Sequence, residues 1–219
     1  MSELRPIQHM EENPLIERYM LDGGSDARDR IIQRFLPMLD VLPCGVWVAG
    51  GAIRAFVAGE PIVDIDLGVQ TRELGQAVHA ILTQRGAQLL SQSGASTKFR
   101  DEEWGVVDIN TVVFVESPTL HISQFDFTIT QALVERIGTG YLYAHADFFA
   151  DVASKRLRLS APTNPVDTFL RLQKYIQRGY TADKETLEAI AEQVMLRGES
   201  RLREGLGLNE APSLDVAPF

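Results

Sequence analysis

One cysteine, Cys44, in 219 residues leaves no partner for an internal disulfide, and His79, His121 and His145 show no ligand spacing with it that would suit zinc. No stretch approaches the roughly 20 apolar residues needed to cross a bilayer, because Arg or Asp interrupts each run. Residues 1–13 are too polar to hold the apolar core of a secretory signal, so a cytoplasmic protein without membrane contact is expected. A cationic excess is also missing. The net charge of −9 argues against a general nucleic-acid coat, which needs positive charge to displace counterions from phosphates. The acidic excess lies in the first two thirds of the chain. No repeat or low-complexity segment is present, and a hydrophobic fraction of 45% is that of an ordinary globular protein.

What is present reads as helices and strands joined by short turns. After an N-terminal arm (1–24), Ser25 followed by Asp26 opens a helix with Ile31, Ile32, Phe35, Leu36 and Leu39 on one stripe. Val46-Trp47-Val48 is a short strand that stops at Gly50-Gly51, and a short helix from Ala52 to Ala58 follows. From Ile62 to Leu67 the chain alternates with period two, which puts Asp64 and Asp66 on one strand face. Thr71 caps an amphipathic helix that Gly86 closes, with Leu74, Ala77, Val78, Ile81 and Leu82 inward. The stretch Gly105 to Val115 is a further strand, with Asp108 and Asn110 opposite Val107 and Ile109. Beyond residue 145 the pattern is mostly helical, apart from a strand at Arg156 to Ser160. Helix starts are expected at Asn164-Pro165, Thr181 and Glu199. The boundaries expected are a head domain over 25–160, a helical subdomain over 161–206 and a tail over 207–219.

The chemistry concentrates in Gly50-Gly51-Ala52-Ile53-Arg54 and Asp64-Ile65-Asp66. A double glycine lets backbone approach a triphosphate without a Cβ in the way, and the helix after it presents free N–H groups. Arg54 could add a bidentate phosphate contact. Two carboxylates at i and i+2 on a strand can share divalent cations with substrate phosphates, the usual arrangement for nucleotidyl transfer. Burying such a pair without a cation between them is costly. Arg171, Lys174 and Arg178 form one cationic helix stripe that could face a phosphate, and Lys98 and Arg100 precede the strand of Asp108. Trp47 and Trp104 read as packing residues rather than base-stacking platforms.

Residues 48–67, VAGGAIRAFVAGEPIVDIDL, resemble the head-domain signature of the CCA-adding enzyme and bacterial poly(A) polymerase family, within the polymerase-beta-like nucleotidyltransferases. Residues 125–132, FDFTITQA, resemble that family's Arg-Arg-Asp-Phe-Thr-Ile-Asn-Ala motif, with Asp126, Phe127, Thr128 and Ile129 coinciding and Ala132 one place beyond the motif's alanine. HADFFADVASKRLRLS (145–160) and LRLQKY (170–175) resemble its later segments, and the likeness covers roughly residues 46–178. It implies an α+β nucleotidyltransferase fold, a mixed sheet flanked by helices, with a small helical C-terminal subdomain. It also implies that Asp64, Asp66 and Asp108 are catalytic and bind Mg²⁺ or Mn²⁺. Gly50, Gly51, Arg54, Asp126, Arg171 and Lys174 would then hold a nucleoside triphosphate (ATP or another NTP). Gln124 and Phe125 replace the family's two arginines, and its Glu-Asp-x-x-Arg base-selecting template is not recognisable. A chain of 219 residues is too short for the family's tRNA-gripping body and tail, so CCA addition itself is not expected. The expectation is metal-dependent transfer of a nucleoside monophosphate to a hydroxyl of an RNA 3′ end, a small molecule or a protein. The competing expectation is a degenerate member that binds nucleotide or serves as an interaction module.

Overall fold

A computed structural model describes residues 15–161 and 164–205, so the expected tail and most of the expected arm lie outside the described residues. The first described strand, β1 (Ile16–Met20), falls within the stretch read as an arm. Helix α1 (Ala27–Asp40) buries Ile31, Ile32, Phe35 and Leu39, as the stripe predicts. Its cap is Asp26 rather than Ser25: the Asp26 carboxylate accepts from the N–H groups of Arg28 at 2.8 Å and Asp29 at 2.9 Å. Strand β2 (Val46–Ala49) is buried throughout and runs into helix α2 (Gly51–Val57).

Strand β3 (Ile65–Val69) begins three residues later than the alternation suggests. Its ladders with both neighbours start at Ile65 or Asp66, so Asp64 stands just before the strand, without a ladder partner. Helix α3 (Arg72–Gln84) is capped as expected, Thr71 Oγ1 accepting from Leu74 N–H at 3.3 Å. Strands β4 (Gln88–Gln92), β5 (Ser96–Asp101) and β6 (Gly105–Phe114) form a meander. Helix α4 (Pro118–Ser123) and a 3-10 turn (Thr128–Thr130) lead to β7 (Ala132–Glu135) and β8 (Tyr141–His145).

The remaining elements are α5 (Phe148–Ser154), β9 (Arg156–Leu157), α6 (Pro165–Ile176), β10 (Thr181–Ala182) and α7 (Lys184–Gly205). Thr181 is therefore strand, not cap. Asp183 takes the capping role, its carboxylate accepting from Thr186 N–H at 2.9 Å, and α7 passes through Glu199 without a break. Among the described residues no helix is long and apolar enough to cross a membrane.

Eight strands form one sheet in the order β1-β8-β7-β2-β3-β6-β5-β4. Every adjacent pair is antiparallel except β3 and β6, which run parallel and need the crossover through α3. The fold is thus α+β, a mixed sheet flanked by helices. The main core joins α1, α2 and α3 to one face, where Val48, Ile65, Leu67 and Val107 point. On the opposite face Trp47, Ala49 and Leu133 make a smaller cluster with Ile122 of α4. That smaller cluster leaves part of its face open, beside the end of β2 and the start of β3.

Candidate nucleotide site

A cleft of about 530 Å³ opens on this second face. Its size is that of a small-ligand site. At its base, β3 and β6 lie side by side with Asp66 directly opposite Asp108, and Asp64 precedes Asp66 on the same side. The sequence brings these three together because two strands of the same phase pair in parallel, so like positions on each share a face.

One cation is built into the group. Lys98 of β5 lies opposite Asp108 in the ladder, its Nζ 2.8 Å from Asp108 Oδ2 and 3.4 Å from Asp64 Oδ2. Asp108 Oδ1 is buried and has no hydrogen-bond partner. Asp66 opens to the cleft but is crowded by protein elsewhere. That crowding, with the like charges of Asp64 and Asp108, pushes its pKa up to about 6 against the opposing pull of Lys98 and Lys174.

The metal can be tested against these residues. Among the described residues no three His, Cys, Asp or Glu side chains converge closely enough to hold an ion by themselves. Mg²⁺, however, is commonly held by one or two carboxylates together with substrate phosphates and water, and needs no closed protein cage. An orphaned Asp108 oxygen and an Asp66 carboxyl that resists ionisation are both what a site short of positive charge presents. The donor set therefore fits a hard divalent cation shared with a phosphate.

The Gly50-Gly51 turn lies at the edge of the cleft. Gly50 has φ of +75°, where a side chain would be strained, and a Cβ there would meet the Phe125 ring at 3.2 Å. A Cβ on Gly51 would meet nothing within 4 Å. Arg171 and Lys174 of α6 and Arg178 just beyond its end line the same cleft, so the stripe read from the sequence faces the carboxylates. Arg171 Nη1 donates to Asp126 Oδ2 at 2.6 Å, an ion pair that joins the FDFTITQA segment to α6. Asp126 is itself almost fully buried.

Arg54 also lines the cleft, with its guanidinium engaged by protein partners. Its guanidinium is buried, donates to Glu60 at 2.5 Å and Tyr180 Oη at 3.2 Å, and lies over the rings of Tyr175 and Tyr180. These contacts tie α2 to the helical C-terminal part; both hydrogen bonds use Nη1, while Nε is buried without a partner.

The HADFFADVASKRLRLS segment proves structural. Asp151 accepts from Thr128 Oγ1 at 2.6 Å and Arg158 Nε at 3.1 Å, which anchors the turn after Asp126. Two residues of the site hold contacts that the sequence reading did not assign to them: Lys98, expected to reach a phosphate, pairs with the carboxylates, and His121 bonds to Trp47. Lys98 is found by counting outward from the Asp101–Gly105 turn, which sets it opposite Asp108. His121, in the cleft wall, carries no local signal, because its partner Trp47 is far away in sequence.

Fold and cleft together define a protein of the nucleotidyltransferase fold. Three solved structures support this. The chain matches the Thermotoga maritima CCA-adding enzyme complexed with tRNA at 17% identity and a TM-score of 0.58, over 83% of this chain and 46% of that one. CCA-adding enzyme complexes with ATP and with CTP match at 17% identity and TM-scores of 0.61 and 0.60, each over 84% of this chain and 48% of the other. The chain thus spans just under half the length of those enzymes. No curated protein matches it in sequence. Residues 27–155 match the model of the Gabija anti-defense 2 family, and the chain belongs to that family.

Proposed function

We propose that this protein is a metal-dependent nucleotidyltransferase that uses a nucleoside triphosphate to modify an acceptor hydroxyl. The observation that carries this reading is the meeting of Asp64, Asp66 and Asp108 in a cleft that also holds the Gly50-Gly51 turn and the cations of α6. Like charges gathered at one place cost stability, and a scaffold without chemistry has no use for them.

In the proposed reaction an acceptor oxygen attacks the α-phosphorus of the triphosphate. A new P–O bond forms, the bond to the β-phosphate bridging oxygen breaks, and pyrophosphate departs with the bonding electrons. Mg²⁺ or Mn²⁺ held by Asp64, Asp66 and Asp108 would supply electrostatic stabilisation of the charge on the transferring phosphate and leaving group. The acceptor's proton would pass to solvent. Gly50 and Gly51 would let the triphosphate approach the backbone, while Arg171 and Lys174 would draw its charge toward α6. Asp126 would act by holding Arg171 in place. Arg54, in the cleft wall, would act by fixing α2 against Tyr180.

The acceptor remains among an RNA 3′ end, a small molecule and a protein. Binding of tRNA, ATP or CTP by the structural neighbours supports nucleotide and RNA as the first ligands to try. Membership of an anti-defense family supports a role in countering the Gabija system, with nucleotidyl transfer as the chemistry that does so.

A second reading is favoured by one observation. Lys98 already pairs with Asp64 and Asp108 without any ion, which suits a nucleotide-binding or interaction module that has lost catalysis. Incubation with each α-phosphate-labelled triphosphate, Mg²⁺ or Mn²⁺, and RNA or protein acceptors separates the two. Label transferred by wild type but not by Asp64→Asn supports the transferase. Triphosphate binding without transfer to any acceptor or to water supports the module.

A further inference from the structure

Gly68 follows Asp66 by two residues and so continues the carboxylate row of β3 on the cleft face. A Cβ at Gly68 would stand 2.1 Å from Trp47 Nε1 and 2.7 Å from His121 Nδ1. The space a side chain would take is therefore given to that pair. Trp47 Nε1–H donates to His121 Nδ1 at 2.8 Å in a buried setting.

This bond fixes the imidazole. An indole nitrogen can only donate, so His121 Nδ1 must carry a lone pair, and the proton of the neutral ring sits on Nε2. Burial pushes the His121 pKa down to about 4, so the ring is neutral at physiological pH. His121 lines the cleft with its Nδ1 edge turned inward to Trp47, and the polar atom it can offer to a ligand is Nε2–H. The Phe125 ring packs edge-on against it, centroids 5.1 Å apart, and also lies against Gly50. The cleft thus has two unlike walls. One is cationic, from α6; the other is neutral and aromatic, from Phe125 and His121.

We propose that the neutral wall recognises the nucleobase of the bound triphosphate, His121 Nε2–H donating to a ring nitrogen or carbonyl oxygen of the base that lies along Phe125. Charge decides between base and phosphate. A neutral donor beside an apolar ring adds little for a phosphate when three cationic side chains line the same cleft, but it suits an uncharged acceptor on a flat ring. The proposal rests on the reading that a nucleoside triphosphate is the ligand of this cleft.

Calorimetric titration of the full chain with ATP, GTP, CTP and UTP, each with Mg²⁺, and with inorganic tripolyphosphate as a probe lacking a base, tests it. His121→Asn keeps an acceptor for Trp47 near the Nδ1 position but offers no N–H where Nε2 was; His121→Gln offers one again. The Asn variant should bind the preferred triphosphate roughly three- to tenfold more weakly, the worth of one neutral hydrogen bond, with tripolyphosphate unchanged. The Gln variant should recover part of the loss. Phe125→Leu should likewise weaken triphosphate and spare tripolyphosphate, and it leaves the Trp47–His121 bond in place should the Asn variant fold poorly. Equal losses for both probes, or no loss for any triphosphate, would overturn base recognition while leaving the transferase reading standing. Failure of wild type to bind any triphosphate would overturn both.

Discussion

Lys98 Nζ stands 2.8 Å from Asp108 Oδ2, the residue directly across the ladder from it, while the other oxygen of Asp108 is buried without a partner. Lysine and any divalent ion would compete for the same negative charge. Lys98→Met should therefore lower the melting temperature of the metal-free protein, by an amount corresponding to about 1 kcal/mol since the pair is partly open to water. The same variant should gain more from added MgCl₂ or MnCl₂ than wild type does. Thermal melts with and without metal check this, and equal metal-induced shifts in the two proteins would show that Lys98 and the ion do not share a site.

Asp66 gives a pH signature with a definite sign. Its pKa rises from an ordinary value of 3.8 to about 6, so between these limits the folded protein binds more protons than the unfolded chain. Stability from this group is present below about pH 4 and is lost as pH rises through 6. Asp66→Asn should flatten that fall, melt at or above the wild-type temperature at pH 7, and lose transferase activity. Denaturation curves of wild type and variant from pH 4 to pH 7 measure the difference. A variant less stable than wild type at pH 7 would mean that Asp66 makes a favourable contact and is not held under like-charge repulsion.

Much of this was legible in the sequence where local chemistry is decisive. The cap at Thr71, the Gly50-Gly51 turn, the stripe of α1 and the shared face of Asp64 and Asp66 follow from residue type and spacing. Strand β4 was not legible, because all of its residues are exposed and only pairing with β5 orders it. Asp101 reads as part of a solvated turn, yet it is buried and held by Arg85 at 3.0 Å, a partner from the end of α3. Trp47 was expected to pack, and it does; its bond to His121 depends on α4 folding back over β2, which no local pattern announces.

The link between Asp126 and Arg171 predicts how the helical part is held. Asp126 is nearly buried, whereas half of the Arg171 side chain is exposed. Arg171→Ala leaves a buried carboxylate without its cation and should cost about 1–3 kcal/mol. Asp126→Asn with Arg171→Ala should cost less than the two single changes combined, because the charge left behind is gone. A double-mutant cycle by urea denaturation measures this coupling. Additive losses would separate Asp126 from α6 and leave Arg171 as a free surface cation.

Arg54 separates a structural arginine from a phosphate-binding one. Its side chain is 2% exposed, paired with Glu60 and Tyr180, and packed over the rings of Tyr175 and Tyr180. Arg54→Ala would leave Glu60 without its partner and open a void between α2 and the C-terminal helices, so a loss of about 3 kcal/mol is expected. Arg54→Lys should recover only part of it, since an ammonium can replace the donor nitrogen but not the flat guanidinium that lies over two rings. Urea denaturation gives the stabilities, and titration with tripolyphosphate gives the anion affinity of whichever variant stays folded. An Arg54→Ala protein as stable as wild type but deaf to tripolyphosphate would reverse the assignment and return Arg54 to the triphosphate.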